Sequence, residues 1–436
     1  MQNYSLEDQE NINEAFWKLE KYLSSWRTKE GYFNGIMATF WDWSLDTIAP
    51  HTMNHYPIIL GYIELFKKFN SNTYLVKAES SAKFYLTHQD KNGQFLNAWA
   101  DIPPKHTGPI LQICPDIALL ELYKVTGKKL YLDTVNKNVE WLFKNWWRNN
   151  GFYGSVVNQT CKGIEMFLLL YEITRQEKYA KMVLNLGEWV LTQQVQKDKL
   201  GKGGFYQSIH DDRLIIVYNA KVAPALIKLY QLTGDEKYKN ALENLIKFIL
   251  RNINPKNLFY SHLEYNFNIF LTPITTFSYK ITKFTPLLRN KIRYLRRLIF
   301  NYCIKEYPMW IARSADTINT LIESSKIVNI DNDIITKLIK NLLSYQYENG
   351  GFPNTIGYFG NPNKTVWQDI ICSIRWNAYC FLLLSKLVSK EEKIDNELII
   401  IKKEYQENNG LNTFIETKDY IEWRDKEKII KHFNKH

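Results

Sequence analysis

The 436-residue sequence predicts an all-α ring of six helical hairpins, closed into an inner and an outer layer. Three observations carry this. Aromatic pairs eight residues apart recur at Phe66/Tyr74, Tyr123/Tyr131, Tyr171/Tyr179 and Tyr230/Tyr238. A short polar turn lies inside each pair: Asn70-Ser71-Asn72, Thr126-Gly127-Lys128, Thr174-Arg175-Gln176 and Thr233-Gly234-Asp235. A glycine-phenylalanine loop opens most hairpins, as Gly31-Tyr32-Phe33, Gly93-Gln94-Phe95, Gly151-Phe152, Gly203-Gly204-Phe205 and Gly350-Gly351-Phe352. The first aromatics stand 57, 48 and 59 residues apart (66 to 123 to 171 to 230), too far for one helix and right for a pair. A lone hairpin cannot bury its own apolar face, so neighbours must stack.

The loops come first. Gln89, Gln194 and Gln346 end the preceding helices, and glycine supplies the positive φ that turns the chain. The phenylalanine then packs back between helices. Inner helices follow at Ile58 to Phe66, Ile113 to Tyr123, Ile164 to Tyr171, Ala220 to Tyr230 and Ile370 to Leu387, apolar on nearly every side. The helices after them, such as Tyr238 to Leu250, are amphipathic and lie outside. The fifth repeat is stretched: its inner helix, Ile311 to Lys326, puts Ser325 in the place of Tyr230, 95 residues on. An insertion of about residues 253–309 fills the gap, and Phe259 to Phe270 reads as a relic of the usual loop. The sixth inner helix aligns Asn377 with Asn219. Residues 1–394 form one domain, and 395–436 form a charged extension on the ring, with a turn at Asn408-Asn409-Gly410.

Composition bounds the function. Hydrophobic residues make up 45 % and charged residues 23 % of the chain, as in a globular protein. Aromatic residues reach 15 %; much of that is core, and any excess over core needs suits a cleft that stacks on sugar rings. Net charge is +11, and +8 of it falls in residues 277–305, which hold eight Lys and Arg and no acid. Within this segment Thr285-Pro286 starts a helix whose apolar stripe is Leu288, Ile292, Leu295 and Ile299. Residues 285–304 then lie on an anionic membrane, cover the ring mouth, or dock on the ring with a solvated basic face. Five scattered cysteines without a CxxC spacing read as thiols in a reducing compartment. The N-terminal octet has no long apolar run, so the expected location is cytoplasmic, peripheral to the inner face of the membrane if the basic helix binds there.

Hairpins joined by Gln…Gly-Gly-Phe loops resemble the α/α toroids over roughly residues 10–390. Two groups share that look: the six-hairpin glycosidase-like enzymes, with polysaccharide lyases and sugar epimerases among them, and the terpenoid cyclases with the protein prenyltransferases. The resemblance implies an active site at the ring mouth, near the loops leading into the inner helices. It does not name the reaction.

Those loops carry the candidates. Asp42 and Asp46 lie among Trp41 and Trp43, two carboxylates beside a sugar-stacking platform; the alternative is packed tryptophans with Asp46 capping a helix. His55 and Tyr56 follow. The second loop offers Trp99 and Asp101. The fourth runs His210-Asp211-Asp212-Arg213 and then Tyr218, Asn219 and Lys221. Adjacent carboxylates repel, which raises one pKa as a general acid needs, unless Arg213 neutralises the pair. Lys162, Lys221, Arg313 and Arg375 stand in apolar helices, with Trp376 next to the last. They make either a cationic pocket for a carboxylate or phosphate, or structural ion pairs with Glu165, Asp316 and Asp369.

No P-loop, dinucleotide-binding glycine pattern, HExxH or GxSxG occurs. The DxDD and DDxxD acids of terpenoid enzymes and a zinc-binding Cys/His spacing are missing as well, so no metal or cofactor is expected. No nucleic-acid-reading module accompanies the basic segment. The sequence therefore predicts an enzyme acting on an acidic, uronic-acid-containing oligo- or polysaccharide, free or lipid-linked, by carboxylate acid/base hydrolysis. Lyase or C5-epimerase chemistry is the close rival. An isoprenoid cyclase and a non-catalytic toroid are the alternatives from other classes.

Overall fold

The computed structural model describes residues 4–35, 51–96, 109–148, 151–152, 156–209, 211–255, 258–265, 301–391, 401–407, 410–417, 420–425 and 428–434. The outer layer comprises α1 (Leu6–Ser24), α3 (Asn72–Thr87), α5 (Lys129–Asn145), α7 (Glu177–Thr192), α10 (Glu236–Arg251) and α12 (Asn332–Leu343). The inner layer comprises α2 (Thr52–Phe69), α4 (Ile110–Thr126), α6 (Val157–Thr174), α8 (Ile216–Asn219) running on into α9 (Ala223–Thr233), α11 (Ser314–Ser324), and α14 (Ile374–Leu387) behind the short α13 (Trp367–Ile370). Each inner helix packs on the next, and α14 returns to α2, so the ring is closed.

The repeat has a physical basis at both ends of each hairpin. At the polar turns the chain passes through the left-handed region at Asn70, Gly127, Arg175 and Gly234. Each of these residues donates its N–H to the carbonyl of the preceding aromatic, at 2.8–2.9 Å, which satisfies a carbonyl the helix end leaves free. Eight residues after the first aromatic, Tyr74, Tyr131, Tyr179 and Tyr238 are all buried. Two reach the preceding outer helix: Tyr131 donates to Glu79 (3.1 Å) and Tyr238 to Glu188 (3.0 Å).

At the other end the glutamines are stitches. Gln89 donates to the carbonyls of Gly93 and Thr134, Gln194 to those of Gly203 and Ala241, and Gln346 to those of Gly350 and Ala15, all at 2.8–3.0 Å. One side chain thus ties its own loop to the next outer helix, and Gln346 ties the last hairpin to the first. Gly203 and Gly350 are required twice over. Their φ values are +90° and +93°, and a Cβ would collide with the backbone carbonyl of Asn244 or Lys18. The loop phenylalanines Phe33, Phe95, Phe205 and Phe352 are fully buried; each such side chain contributes about 1.5–3 kcal/mol of hydrophobic stabilisation.

The closing seam is sealed by side chains. Gly61 admits Phe381 so closely that a Cβ would lie 2.6 Å from its ring. Tyr22 donates to Cys372 O (2.7 Å), and Lys68 donates to the carbonyls of Ser385, Lys386 and Val388 at the end of α14 (2.6–3.1 Å). The stretch Trp367–Leu387 has the length and apolarity of a membrane span, but 78 % of its most apolar 18-residue window is buried in the protein, as in a core helix.

The fifth repeat keeps the relic loop. Ile253 pairs with Phe259 as Gln89 pairs with Phe95 and Gln194 with Phe205. The inserted chain then contributes β4 (His262–Tyr265) and β5 (Tyr302–Lys305), which extend β3 (Leu214–Ile215) into an antiparallel sheet of order β3-β4-β5. Most of the expected basic helix, including Thr285 to Ile299, lies outside the described residues. Its expected end, through residue 304, is strand instead. Tyr302 is buried and donates to Asp212 O, which anchors β5 on the fourth loop. Short ribbons also form between β1 (Trp147–Arg148) and β2 (Gly151–Phe152), and between β6 (Met309–Trp310) and β7 (Thr355–Ile356).

The charged extension is an antiparallel meander of β8 (Ile401–Glu407), β9 (Gly410–Glu416), β10 (Tyr420–Asp425) and β11 (Lys428–Asn434). The pairs Glu407↔Gly410 and Asp425↔Lys428 close its outer hairpins, the first around the turn expected at 408–410.

Candidate functional site

The site follows from a second device shared by the loops. The phenylalanine of a loop is held by an inner-helix side chain that accepts from its N–H and donates to its carbonyl. Gln112 does this for Phe95 (2.8 and 2.9 Å), Asn219 for Phe205 (2.6 and 3.1 Å) and Asn377 for Phe352 (2.7 and 2.9 Å). In the first hairpin two residues divide this role. His55 Nε2 accepts from Phe33 N–H (2.9 Å), and Asn54 donates to Phe33 O (3.2 Å). Thr160 and Ser314 hold the same position in the third and fifth hairpins and donate instead to the carbonyl four residues earlier, Val156 and Trp310.

Two residues beyond this position the inner helices present Pro57, Cys114, Lys162, Lys221, Asp316 and Tyr379. All but Pro57 approach one another across the ring. Lys162 pairs with Glu165 (2.8 Å) and donates to Tyr56 (3.2 Å). Lys221 pairs with Asp316 and lies 4.2 Å from the centre of the Tyr379 ring. Burial raises the Cys114 thiol to about 12 against the pull of Lys162 and Lys221. Burial works against the charge of Lys162, but Glu165 and Tyr56 outweigh it and hold the ammonium well above its usual range. Burial likewise drives the Tyr56 phenol well up, so it stays protonated. Both lysines are therefore matched by carboxylate partners.

The arginines are not matched. Arg313, at the start of α11, is 9 % exposed and lies 4.7, 5.3 and 5.6 Å from the ring centres of Tyr218, Trp310 and Trp376. Arg375, on the first turn of α14, has its pKa lowered by burial and by the charge of Arg313, with Tyr379 opposing. Among the described residues neither guanidinium has a hydrogen-bond or ion-pair partner. Among the described residues, the cations Lys162, Lys221, Arg313 and Arg375 here face two paired carboxylates, Glu165 and Asp316. The expected pairs with Glu165 and Asp316 form, but Asp369 takes Thr355 Oγ1 (2.8 Å) and the N–H groups of Tyr358 and Val366 instead of an arginine.

The remaining candidates lie elsewhere. Asp211 is bound by Arg213 through two guanidinium nitrogens at 2.6–3.1 Å and also caps the Arg213 N–H, so the expected like-charge repulsion gives way to local neutralisation. Asp212 is 8 % exposed. His55 is fully buried: Nδ1 meets His51 O (2.8 Å), its ring stacks on Phe84 at 4.4 Å, and burial lowers its pKa to about 3. That is a loop-holding role away from solvent. Trp41, Asp42, Trp43, Asp46, Trp99 and Asp101 fall outside the described residues. The sequence reading missed Trp310 and Tyr379; aligning the repeats on Asn219 and Asn377 places Tyr379 level with Lys162 and Lys221. It also missed Asp116, fully buried on α4, with both oxygens lacking a hydrogen-bond partner among the described residues and its carboxyl raised well up by burial.

No family model matches the chain, and no curated protein matches it in sequence. Its structure resembles solved ones. A cellobiose 2-epimerase from Bacillus thermoamylovorans superposes with a TM-score of 0.60 at 12 % identity, over 86 % of this chain and 98 % of that one. A D-mannose isomerase gives 0.60 at 11 %, over 88 % and 99 %. The α-1,6-mannanase GH76A from Salegentibacter sp. gives 0.53 at 12 %, over 88 % and 99 %. The chain has the six-hairpin α/α-toroid fold of these proteins.

Proposed function

We propose that the chain is a carbohydrate-active enzyme that holds an acidic, uronate-containing glycan at the centre of the ring. The observation that carries this is the pair Arg313 and Arg375, two guanidinium groups on adjacent inner helices without a carboxylate partner among the described residues. An unmatched buried charge is costly unless a ligand completes it, and a planar guanidinium is well suited to a carboxylate. Trp310, Trp376 and Tyr218 around Arg313 offer flat faces for a sugar ring. The similar structures are named for action on sugars, which supports the ligand class. A non-catalytic ring would be expected to match all its interior charges, and an isoprenoid cyclase to line its cavity without four cations.

Hydrolysis needs a carboxyl acid and a carboxylate base. Glu165 and Asp316, each paired with a lysine, are the candidates for the base; Asp42, Asp46 and Asp101 are the candidates for the acid. A second reading, C5 epimerisation or elimination on the uronate, is favoured by the buried chain Glu165–Lys162–Tyr56. Arginines neutralising the uronate carboxylate would stabilise the carbanion left when a carboxylate such as Glu165 takes the C5 proton, and the protonated Tyr56 phenol, beside Lys162, would give its own proton back to that carbon.

The test is product analysis of uronate oligosaccharides incubated with enzyme in heavy water. Hydrolysis yields new reducing ends, elimination an unsaturated uronate, and epimerisation deuterium at C5. One of these, lost in Arg375→Met, supports the proposal; no product from any uronate or neutral glycan refutes it.

A further inference from the structure

A cavity about 760 Å³ in volume lies beside the sixth hairpin. Tyr345, Tyr347, Glu348, Ile356, Thr365 and Asp369 are among the residues that line it. Its size falls within the range of small-ligand sites, about 300–1,000 Å³. It shares structure with the ring centre. Its wall Thr355–Ile356 is β7, hydrogen-bonded to β6, and Trp310 of β6 flanks Arg313 at 5.3 Å. Its wall residue Pro353 accepts from the N–H of Ala312, next to Arg313 (3.2 Å). Asp369 and Ile370 belong to the short helix that leads into Arg375.

The two places have opposite polarity. Among the described residues no Lys, Arg or His lines the cavity, and the carboxyl groups that do are Glu348 and Asp369. Its loop also carries Phe359, 70 % exposed, against Tyr358 (ring centres 4.9 Å apart, edge to face). Tyrosine and phenylalanine faces suit the apolar faces of sugars. The exposed Glu348 carboxylate can accept from sugar hydroxyls and repel a second uronate, whereas Asp369 is held by Thr355, Tyr358 and Val366.

We propose that this cavity is a distal subsite for the neutral sugars of a glycan whose anionic residue is held by Arg313 and Arg375. The proposal rests on the ring-centre reading above. The enzyme would thus select a uronate joined to neutral residues over a run of uronates.

Calorimetric titration with aldobiouronic acid (one glucuronate, one xylose) and aldopentaouronic acid (one glucuronate, four xyloses) tests it. Wild type should bind the longer ligand roughly tenfold tighter or more, about 1.4 kcal/mol. Thr365→Trp fills the cavity from an exposed position and should bind both ligands equally, with the shorter one unchanged. Glu348→Ala, also exposed, should lose part of the length gain. A gain that persists in Thr365→Trp, or no gain in wild type, overturns the subsite while leaving the ring centre intact. Failure of wild type to bind either ligand overturns the ring-centre reading and the subsite with it.

Discussion

The loop end of the ring and its interior are built by opposite rules. At the loops the same hydrogen-bonding device recurs: Gln112, Asn219 and Asn377 each hold a phenylalanine by both backbone groups, and His55 with Asn54 does so in the first hairpin. Two residues further on, the six hairpins present proline, cysteine, lysine, lysine, aspartate and tyrosine. Repetition marks what holds the fold; departure from it marks where chemistry can be located. The hairpins without the amide device, the third and fifth, supply Lys162 with Glu165 and Arg313 with Asp316.

The comparison breaks most visibly at the loop glycines. Gly350→Ala should lower stability by more than about 3 kcal/mol, because φ is strained and the Cβ meets Lys18 O. Urea unfolding would measure it. Next come the interior charges, which should split by sign. Lys221→Met leaves Asp316 unmatched and should cost about 3 kcal/mol. Arg375→Met removes an unmatched buried charge and should leave the melting temperature unchanged or raised, while ligand binding falls. If both variants destabilised alike, Arg375 would be a structural residue.

The first-hairpin device is acid-sensitive where the others are not. The folded-state pKa of His55 is about 3, below the ordinary 6.5, because burial disfavours the imidazolium. Its stabilising contribution is complete above pH 6.5 and is lost as pH falls towards 3, at about 1.4 kcal/mol per pH unit. His55→Gln, which copies Gln112, should therefore gain about 2 kcal/mol over wild type on going from pH 7 to pH 5. His51, also buried and held neutral, retains its own share of acid sensitivity. The smallest effect is expected at the polar turns. Arg175 adopts φ 58° where two other hairpins use glycine, and Arg175→Gly should stabilise by about 0.5–1 kcal/mol.

What the sequence made legible follows the same division. The ring could be read because Phe/Tyr pairs, turns and glycine loops repeat. The stitching role of Gln89, Gln194 and Gln346 was visible as a position before it was visible as a bond. The strand Tyr302–Lys305 and the C-terminal meander are short, irregularly spaced and outside the repeat, so nothing in the periodicity marked them. At the site, the four cations stood out as charges in apolar helices. Which were matched could be read only locally. Lys162–Glu165 is one helical turn apart and Asp211–Arg213 two residues apart, whereas Lys221–Asp316 joins different hairpins and needs the ring to be closed. Trp310 was hidden for the same reason, since it reaches Arg313 only through the ribbon formed with Thr355.

The most direct measurement of the central claim is a calorimetric titration of wild type and Arg375→Met with glucuronate disaccharides and their neutral glucose counterparts at neutral pH. Wild type should bind the uronate at least tenfold tighter than the neutral sugar, about 1.4 kcal/mol, and Arg375→Met should lose that preference while remaining folded. Equal binding of the two sugars by wild type, or an undiminished preference in Arg375→Met, would contradict the account.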